Sequence, residues 1–522
     1  MVTEKDHDQP EGYSLVSNSA NTMENLLGNN KKFRNVDGMG WIVTCLFIVG
    51  ETAGAGLIAI PTAVVSTGLF GGILIILLGA LACAYTGYLL SENWTILQTR
   101  WPEYRHHCRK PYPAMGLRAI GPGFSTIVSC CLNVTMFGTA VVFLLLAAKN
   151  LESFLHAYGG VHIGFCYLVV IVAIFMLPLT LFKSPKDFWW AVIAAMITTF
   201  VAAAMIMYGA YKDYDACMRH VDYPEISMSK FFMCFGTVMF AYGGHGAFPT
   251  IQHDMKRPYH FKRSVYLAFL IIFLMYMPVS IFAYITYGGS LRDSVIPSIQ
   301  GFYLQQGVNV LITLHVMMAL TIMFNPLNQE WEELLNVSHD MGFGRVFART
   351  AMMVFVVIVA ETVPNFGVLL DLVGGSTITL MALVFPVVFN LYLYTNKVKH
   401  AGTVAAENEK PPTFREIWMY TPSSRKLIAA LILTFALCGG VAGTVSAMNA
   451  MFNSQFSAPC YAGIFMKEIE SPVMEEQLLN NLTVQAHGQF NCCGFGKNIS
   501  RFGQPDIFCL DPSISISHGS HG

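Results

Sequence analysis

Glu51 and Thr52 stand inside an otherwise apolar run, just before Gly54, Ala55 and Gly56, with Pro61 behind them. Far along the chain Phe240, Tyr242, Gly243, Gly244 and His245 form a second glycine-rich stretch inside an apolar run, with Pro249 behind it. A carboxylate at mid-membrane costs about 2.5–3.5 kcal/mol even on the lenient insertion scale, so Glu51 is a candidate proton carrier. His245 could share that proton, since imidazole titrates near neutral pH. Structural roles fit both residues too: a neutral Glu51 capping unwound backbone or pairing with His245, and a satisfied histidine. The glycines carry the other half of the chemistry. Unwinding a helix in hydrocarbon leaves N–H and C=O groups unpaired at several kcal/mol each, tolerable where a ligand, an ion or water completes them. Glycines also let spanning helices pack closely, but two interruptions of matched composition favour a binding role.

The elements that position these residues are membrane spans. Of 522 residues 54% are hydrophobic and only 12% charged, against about 25% charged in soluble domains. The pattern predicts an all-α integral membrane protein with about eleven transmembrane helices, over 41 to 68, 70 to 91, 122 to 148, 163 to 182, 188 to 211, 230 to 250, 264 to 287, 308 to 326, 350 to 365, 367 to 394 and 427 to 452. Only Pro364 and Asn365 mark the turn between the ninth and tenth. The two interrupted spans are the first and the sixth. Five spans separate their starts, an odd number, so a second repeat would run inverted relative to the first. Interrupted spans at corresponding positions of two halves point to a secondary-transporter site. Thr52, Gly54, Ala55, Gly56, Phe240, Tyr242, Gly243 and Gly244 are the expected substrate-binding residues.

Net charge near zero offers no basic bias toward nucleic acid. With the N-terminus in the cytoplasm, about 23 of the 31 Lys and Arg fall on one side, which predicts that orientation and a C-terminus outside or lumenal. Residues 1–38 read as a disordered cytoplasmic tail, 39–452 as the membrane domain and 453–522 as an extracellular or lumenal tail. That tail carries Cys460, Cys492, Cys493 and Cys509 as disulfide candidates, in any of three pairings, and glycosylation sequons at Asn481 and Asn498. The triplets at Asn93, Asn133 and Asn336 fall on the cytoplasmic side or within the membrane and read as chance. The remaining cysteines, Cys130 and Cys131 among them, read as small apolar residues. Tyr13-Ser14-Leu15-Val16 has the form of an endosomal sorting signal, so plasma membrane and endosome, lysosome or vesicle are the expected locations. Oligomeric state is left open by the sequence.

The run Gly54-Ala55-Gly56-Leu57-Ile58-Ala59-Ile60-Pro61 resembles the first-span motif of the amino acid/auxin permease family. Phe240 to Pro249, followed by Gln252, Asp254, Met255, Lys256 and Pro258, is similar to its sixth-span signature, and Asn325-Pro326-Leu327-Asn328-Gln329-Glu330 looks like the end of its eighth span. The resemblance covers about residues 38 to 452. It implies the leucine-transporter-like fold, a 5+5 inverted repeat with broken helices 1 and 6 plus an eleventh helix. It also implies amino acid substrates moved with protons or sodium, with no other cofactor and no metal. Several sodium-coupled relatives have an asparagine shortly before the first glycine pair, where this chain has Gly50 and Glu51, so H+ is expected over Na+.

The helix restarting after Gly54 offers N–H groups and a positive dipole end to a substrate carboxylate. The carbonyls of Tyr242 and Gly243 are expected to take the ammonium, with Phe240 and Tyr242 as side-chain walls. Asn133, Thr135 and Thr139 on span three and Thr313, His315 and Thr321 on span eight are further candidates to face the cavity, whereas Lys149, Glu361 and Asp371 read as interfacial. No paired-histidine metal motif, nucleophile elbow or phosphate loop suggests an enzyme. The resulting expectation is a secondary active amino acid transporter, with an amino-acid-sensing receptor of the same architecture as the alternative.

Overall fold

Backbone in hydrocarbon must satisfy its own hydrogen bonds, and apolar runs of this length do so as helices. The computed structural model describes residues 33–453 apart from 36–37, 107, 160–162, 182–188, 219–220, 222, 293, 338–341, 364, 401–402 and 404–408; beyond them it describes only 492–493 and 499–500. Tyr13 to Val16, Cys460, Cys509, Asn481, Asn498 and Pro364 therefore lie outside the described residues, and Cys492 and Cys493 are described as backbone alone. Those two pair antiparallel with Ser500 and Ile499 in a two-residue ladder.

The helices in chain order are α1 Trp41–Thr52, α2 Ala55–Thr67, α3 Leu69–Arg100, α4 Pro111–Ala119, α5 Pro122–Gly159, α6 Phe165–Thr180 and α7 Trp189–Cys217. They continue as α8 Met228–Ala241, α9 Phe248–His253, α10 Phe261–Tyr287, α11 Phe302–Leu334, α12 Phe343–Thr362, α13 Phe366–Val373, α14 Phe385–Lys399, α15 Phe414–Tyr420 and α16 Ser423–Asn453. Among the described residues eight helices are long and apolar enough to cross a membrane, and α1 with α2, bent by 56° at a short break, make a ninth. The shorter apolar helices α6 and α8 occupy the fourth and sixth expected positions. This is an all-α, multi-pass membrane protein.

Several helices outrun their predicted spans. α3 continues to Arg100, α5 to Gly159, and α11 covers Phe302 to Leu334, because hydropathy marks the hydrocarbon-crossing part and a helix can continue into the headgroup region. Asn365 does turn the chain before α13, its side chain accepting the Val368 N–H at 3.2 Å. Between α13 and α14 the helix widens into π turns at Gly374–Ile378 and Leu380–Val384, which apolar periodicity does not reveal.

Two expectations are corrected. Asp371 is not interfacial: it is 8% exposed and accepts the Thr237 hydroxyl of α8 at 2.5 Å. It sits where glycines bring α8 and the π segment into backbone contact, since a Cβ on Gly236 would stand 2.4 Å from the Asp371 carbonyl oxygen. Cys166 and Cys217, at the ends of α6 and α7, are each disulfide-bonded rather than inert apolar residues.

In the packing, α2 lies on α8, α10 on α1, α3 and α7, and α11 between α5 and α7. The two interruptions thus meet at the centre, with α10 on one side and α11 on the other.

Candidate functional site

The first break is built from α1 and α2. α1 ends where the Ala53 N–H returns to the Val49 carbonyl at 2.8 Å, and α2 restarts with the Leu57 N–H on the Gly54 carbonyl at 3.0 Å. Pro61 cannot donate within α2, and one turn earlier the Ile58 carbonyl takes the Val295 N–H from the loop after α10 at 3.0 Å. The carbonyls freed at the break are met by side chains from other helices. Tyr276 of α10 shares its hydroxyl proton between the Ala241 carbonyl at 3.1 Å and the Thr52 carbonyl at 3.4 Å, joining the two breaks through one atom. Thr199 of α7 reaches the Ala53 carbonyl at 3.3 Å. The glycine positions are filled from outside: a Cβ on Gly54 would stand 2.1 Å from His315 Nε2, and one on Gly56 2.3 Å from the Ala241 Cβ.

The sixth-span break is different. After α8 the chain makes successive tight turns, with the Gly243 N–H on the Phe240 carbonyl at 3.1 Å, Gly244 on Tyr242 at 3.2 Å and Ala247 on Gly244 at 3.1 Å, before α9 begins. His245 is 1% exposed, with Nε2 2.9 Å from the Cys83 carbonyl and 3.2 Å from Thr86 Oγ1. A carbonyl only accepts, so Nε2 carries the hydrogen. Nδ1 is then a buried lone pair, with no partner among the described residues.

A small cavity, partly open to solvent, lies against this second break. Its backbone wall is Gly243, Gly244, Gly246 and Ala247, and α5 contributes Thr135, Met136 and Thr139. Met323 of α11 and the π-segment residues Ile378, Met381 and Ala382 close the apolar side. Glu51 is the one acidic residue in the lining, and among the described residues it has neither hydrogen bond nor ion pair.

Of the expected site, the structure brings Glu51, Gly243, Gly244 and His245 to the cavity. Glu51 and His245 are not hydrogen-bonded to each other; the histidine is committed to Cys83 and Thr86. Thr52 is adjacent, its buried Oγ1 without a partner among the described residues and 2.6 Å from where a Gly244 Cβ would stand. Gly54, Ala55, Gly56, Phe240 and Tyr242 are not in the lining. Tyr242 is fully buried, its ring against Phe269 and Tyr276, because the turn after α8 points it into the bundle rather than toward the cavity. Phe240 faces Phe143 of α5. The Tyr242 carbonyl already takes the Gly244 N–H, which leaves the Gly243 carbonyl as the freer acceptor. Thr135 and Thr139 do face the cavity, but Thr313 bonds back to its own helix at Asn309, 2.7 Å away. The methionines and the π segment gave no polar signal in the sequence. Tyr276 was missed because its role is a contact to backbone.

A membrane fold with two helix breaks and a cavity bordered by the second of them and by Glu51 fits a transporter-type membrane protein. The family model described as transmembrane amino acid transporter protein matches residues 37–420, and this chain belongs to that family. The chain is 23% identical over 414 residues to the amino acid transporter AVT1D of Arabidopsis thaliana, covering 77% of this chain and 68% of that protein. To AVT1B of the same plant it is 24% identical, covering 67% of this chain and 64% of that protein. AVT1I, also from that plant, is 21% identical, with 70% and 89% covered. The chain thus spans about two thirds of the length of the first two relatives. The crystal structure of MhsT in complex with L-phenylalanine aligns with 79% of this chain and all of that one, at 12% identity and a TM-score of 0.48. The family is one of transporters, not of enzymes.

Proposed function

We propose that this protein is a secondary active transporter of amino acids that works by alternating access and couples transport to protons. The observation that carries the reading is Glu51: a carboxyl with no partner among the described residues, lining a cavity against the second helix break, where a proton or a substrate ammonium is its natural counterion. The substrate ammonium meets Glu51 and the Gly243 carbonyl, and its side chain lies against Met136, Met323, Met381 and Ile378. Spans one to five and six to ten form the inverted repeats, with an eleventh span added. The N-terminus is cytoplasmic, as the positive-inside count indicates. Disulfides at Cys166 and Cys217 support this, since that orientation puts both on the non-cytosolic side. Residence at the plasma membrane or in an endosomal, lysosomal or vesicle membrane fits equally.

The test is uptake of a panel of radiolabelled amino acids in cells that display the protein at the surface, at acidic and neutral external pH, with and without sodium. Acid-stimulated, sodium-independent uptake that Glu51→Gln removes is the expected result. Sodium-dependent uptake indifferent to that substitution overturns proton coupling, and binding without flux makes the protein a sensor.

A further inference from the structure

The first break is filled by a titratable ring. His315 of α11 is 1% exposed, and its Nε2 takes the space a side chain on Gly54 would need. Its Nδ1 lies 2.8 Å from Thr199 Oγ1 and 3.0 Å from the Ala195 carbonyl oxygen, both on α7. The carbonyl only accepts, so Nδ1 carries the hydrogen. Thr199 then turns its own hydrogen to the Ala195 carbonyl at 2.9 Å or the Ala53 carbonyl at 3.3 Å, and one arrangement serves every group.

It follows that the neutral ring presents Nε2 to the break as a bare lone pair. The break is also the N-terminal end of α2, a helix of 13 residues, where N–H groups without intrahelical acceptors and the positive end of the dipole gather. A second proton can enter only at Nε2. It would place a charged imidazolium N–H in the Gly54 hollow, at the positive end of the α2 dipole, where a cation is disfavoured. Among the described residues His315 makes no ion pair, and Arg345 and Arg349 of α12, which packs on α11, are paired with Glu332. Glu51 of α1 lines the cavity, Asp213 of α7 is held by the Tyr287 hydroxyl and the Gln300 N–H, and Lys149 and Glu152 of α5 act on each other.

We propose that His315 is a positioning residue for transport: its neutral ring holds the first-span break against α7, and protonation at Nε2 drives the break away from it. The proposal rests on the proton-coupled transporter reading and assigns the proton a second task, releasing the backbone hinge, distinct from any proton carried by Glu51.

The experiment uses the full chain in liposomes. Exchange of a radiolabelled amino acid identified in the uptake panel is followed at equal pH on both sides, between about pH 5 and 8, where imidazole titrates. Wild-type exchange rises on acidification, the His315 step contributing at most about tenfold per pH unit, the limit for a single group. His315→Gln keeps an amide donor for Ala195 but cannot gain a proton, so it exchanges with a shallower slope, the part that Glu51 supplies. Thr199→Val keeps the ring but removes a partner of Nδ1, so the slope stays and its midpoint moves. A wild-type slope in His315→Gln overturns the proposal. If that variant is silent at every pH, Thr199→Val decides: a displaced midpoint supports the proposal and an unmoved one overturns it. A wild-type protein that neither exchanges nor accumulates any amino acid overturns the transporter reading itself, and the proposal with it.

Discussion

The two helix breaks share a sequence signature and differ in what surrounds them. The first is packed: Tyr276, Thr199 and His315 occupy its carbonyls and its glycine hollow. The second is hollow on one side: Gly243, Gly244 and Gly246 line the cavity although Ile378, Thr52 and Leu132 crowd them from the other, and His245 keeps a lone pair with no partner among the described residues. Glycine admits a close neighbour at both breaks, and at the second the backbone it leaves bare also borders the cavity. α11 serves both at once, since His315 and Met323, separated by about two helical turns, meet the packed break and the cavity respectively.

The largest expected effect tests the packed break. Gly54→Ala puts a Cβ 2.1 Å from the His315 ring. Overpacking in a fitted interior typically costs about 1–3 kcal/mol, and a ring wedged between two helices has little room to yield. Uptake normalised to surface protein should fall by about tenfold or more, since ~1.4 kcal/mol is a factor of ten. The control is Gly123→Ala, where nothing lies within 4 Å of the added carbon. Equal effects at the two positions would mean that the first break is not packed during transport.

A middle-sized effect is expected at the hollow break, and in specificity rather than rate. Met323 is only half-buried and lines the cavity, so Met323→Ala enlarges the apolar side with less risk to the core. The ratio of uptake for a bulky over a small apolar amino acid should rise roughly tenfold, within the span a few methylenes provide in a pocket. An unchanged ratio would separate this wall from the substrate.

These contrasts also show what the sequence could tell. Gly54 and Gly243 announce breaks because glycine and the nearby prolines disrupt a helix locally, and local information suffices for that. Whether a hollow is filled depends on His315, which the chain brings from far away. For the same reason Tyr242 looked like a binding wall until the turn after α8 showed its ring facing Tyr276. The apolar runs revealed that spans exist, while the π turns near Met381, one of the cavity walls, left no mark in periodicity. The tail cysteines attracted notice through their company of sequons, whereas Cys166 begins an apolar run and Cys217 stands at a span end among Lys212, Asp213, Asp215 and Arg219 with no sequon beside it.

The smallest effect sharpens the comparison by moving it away from both breaks. Glu416 closes a capping box with Thr413 at the start of α15 and pairs with Lys399 at 2.6 Å. The Lys399 ammonium first, and the Thr413 backbone N–H after it, hold the Glu416 carboxyl down at about 2. A carboxyl depressed in the folded state adds stability that is present above its usual value of 4.5 and is lost as pH falls toward about 2. Glu416→Gln should therefore lower the melting temperature of the detergent-solubilised protein slightly at neutral pH, with the difference from wild type shrinking below about pH 4.5. Uptake should be unchanged, although the same exchange at Glu51 is expected to remove it. The difference is one of surroundings. Glu416 has a lysine and a helix N-terminus to complete its charge, and Glu51 faces a cavity in which the completing partner has to arrive from outside.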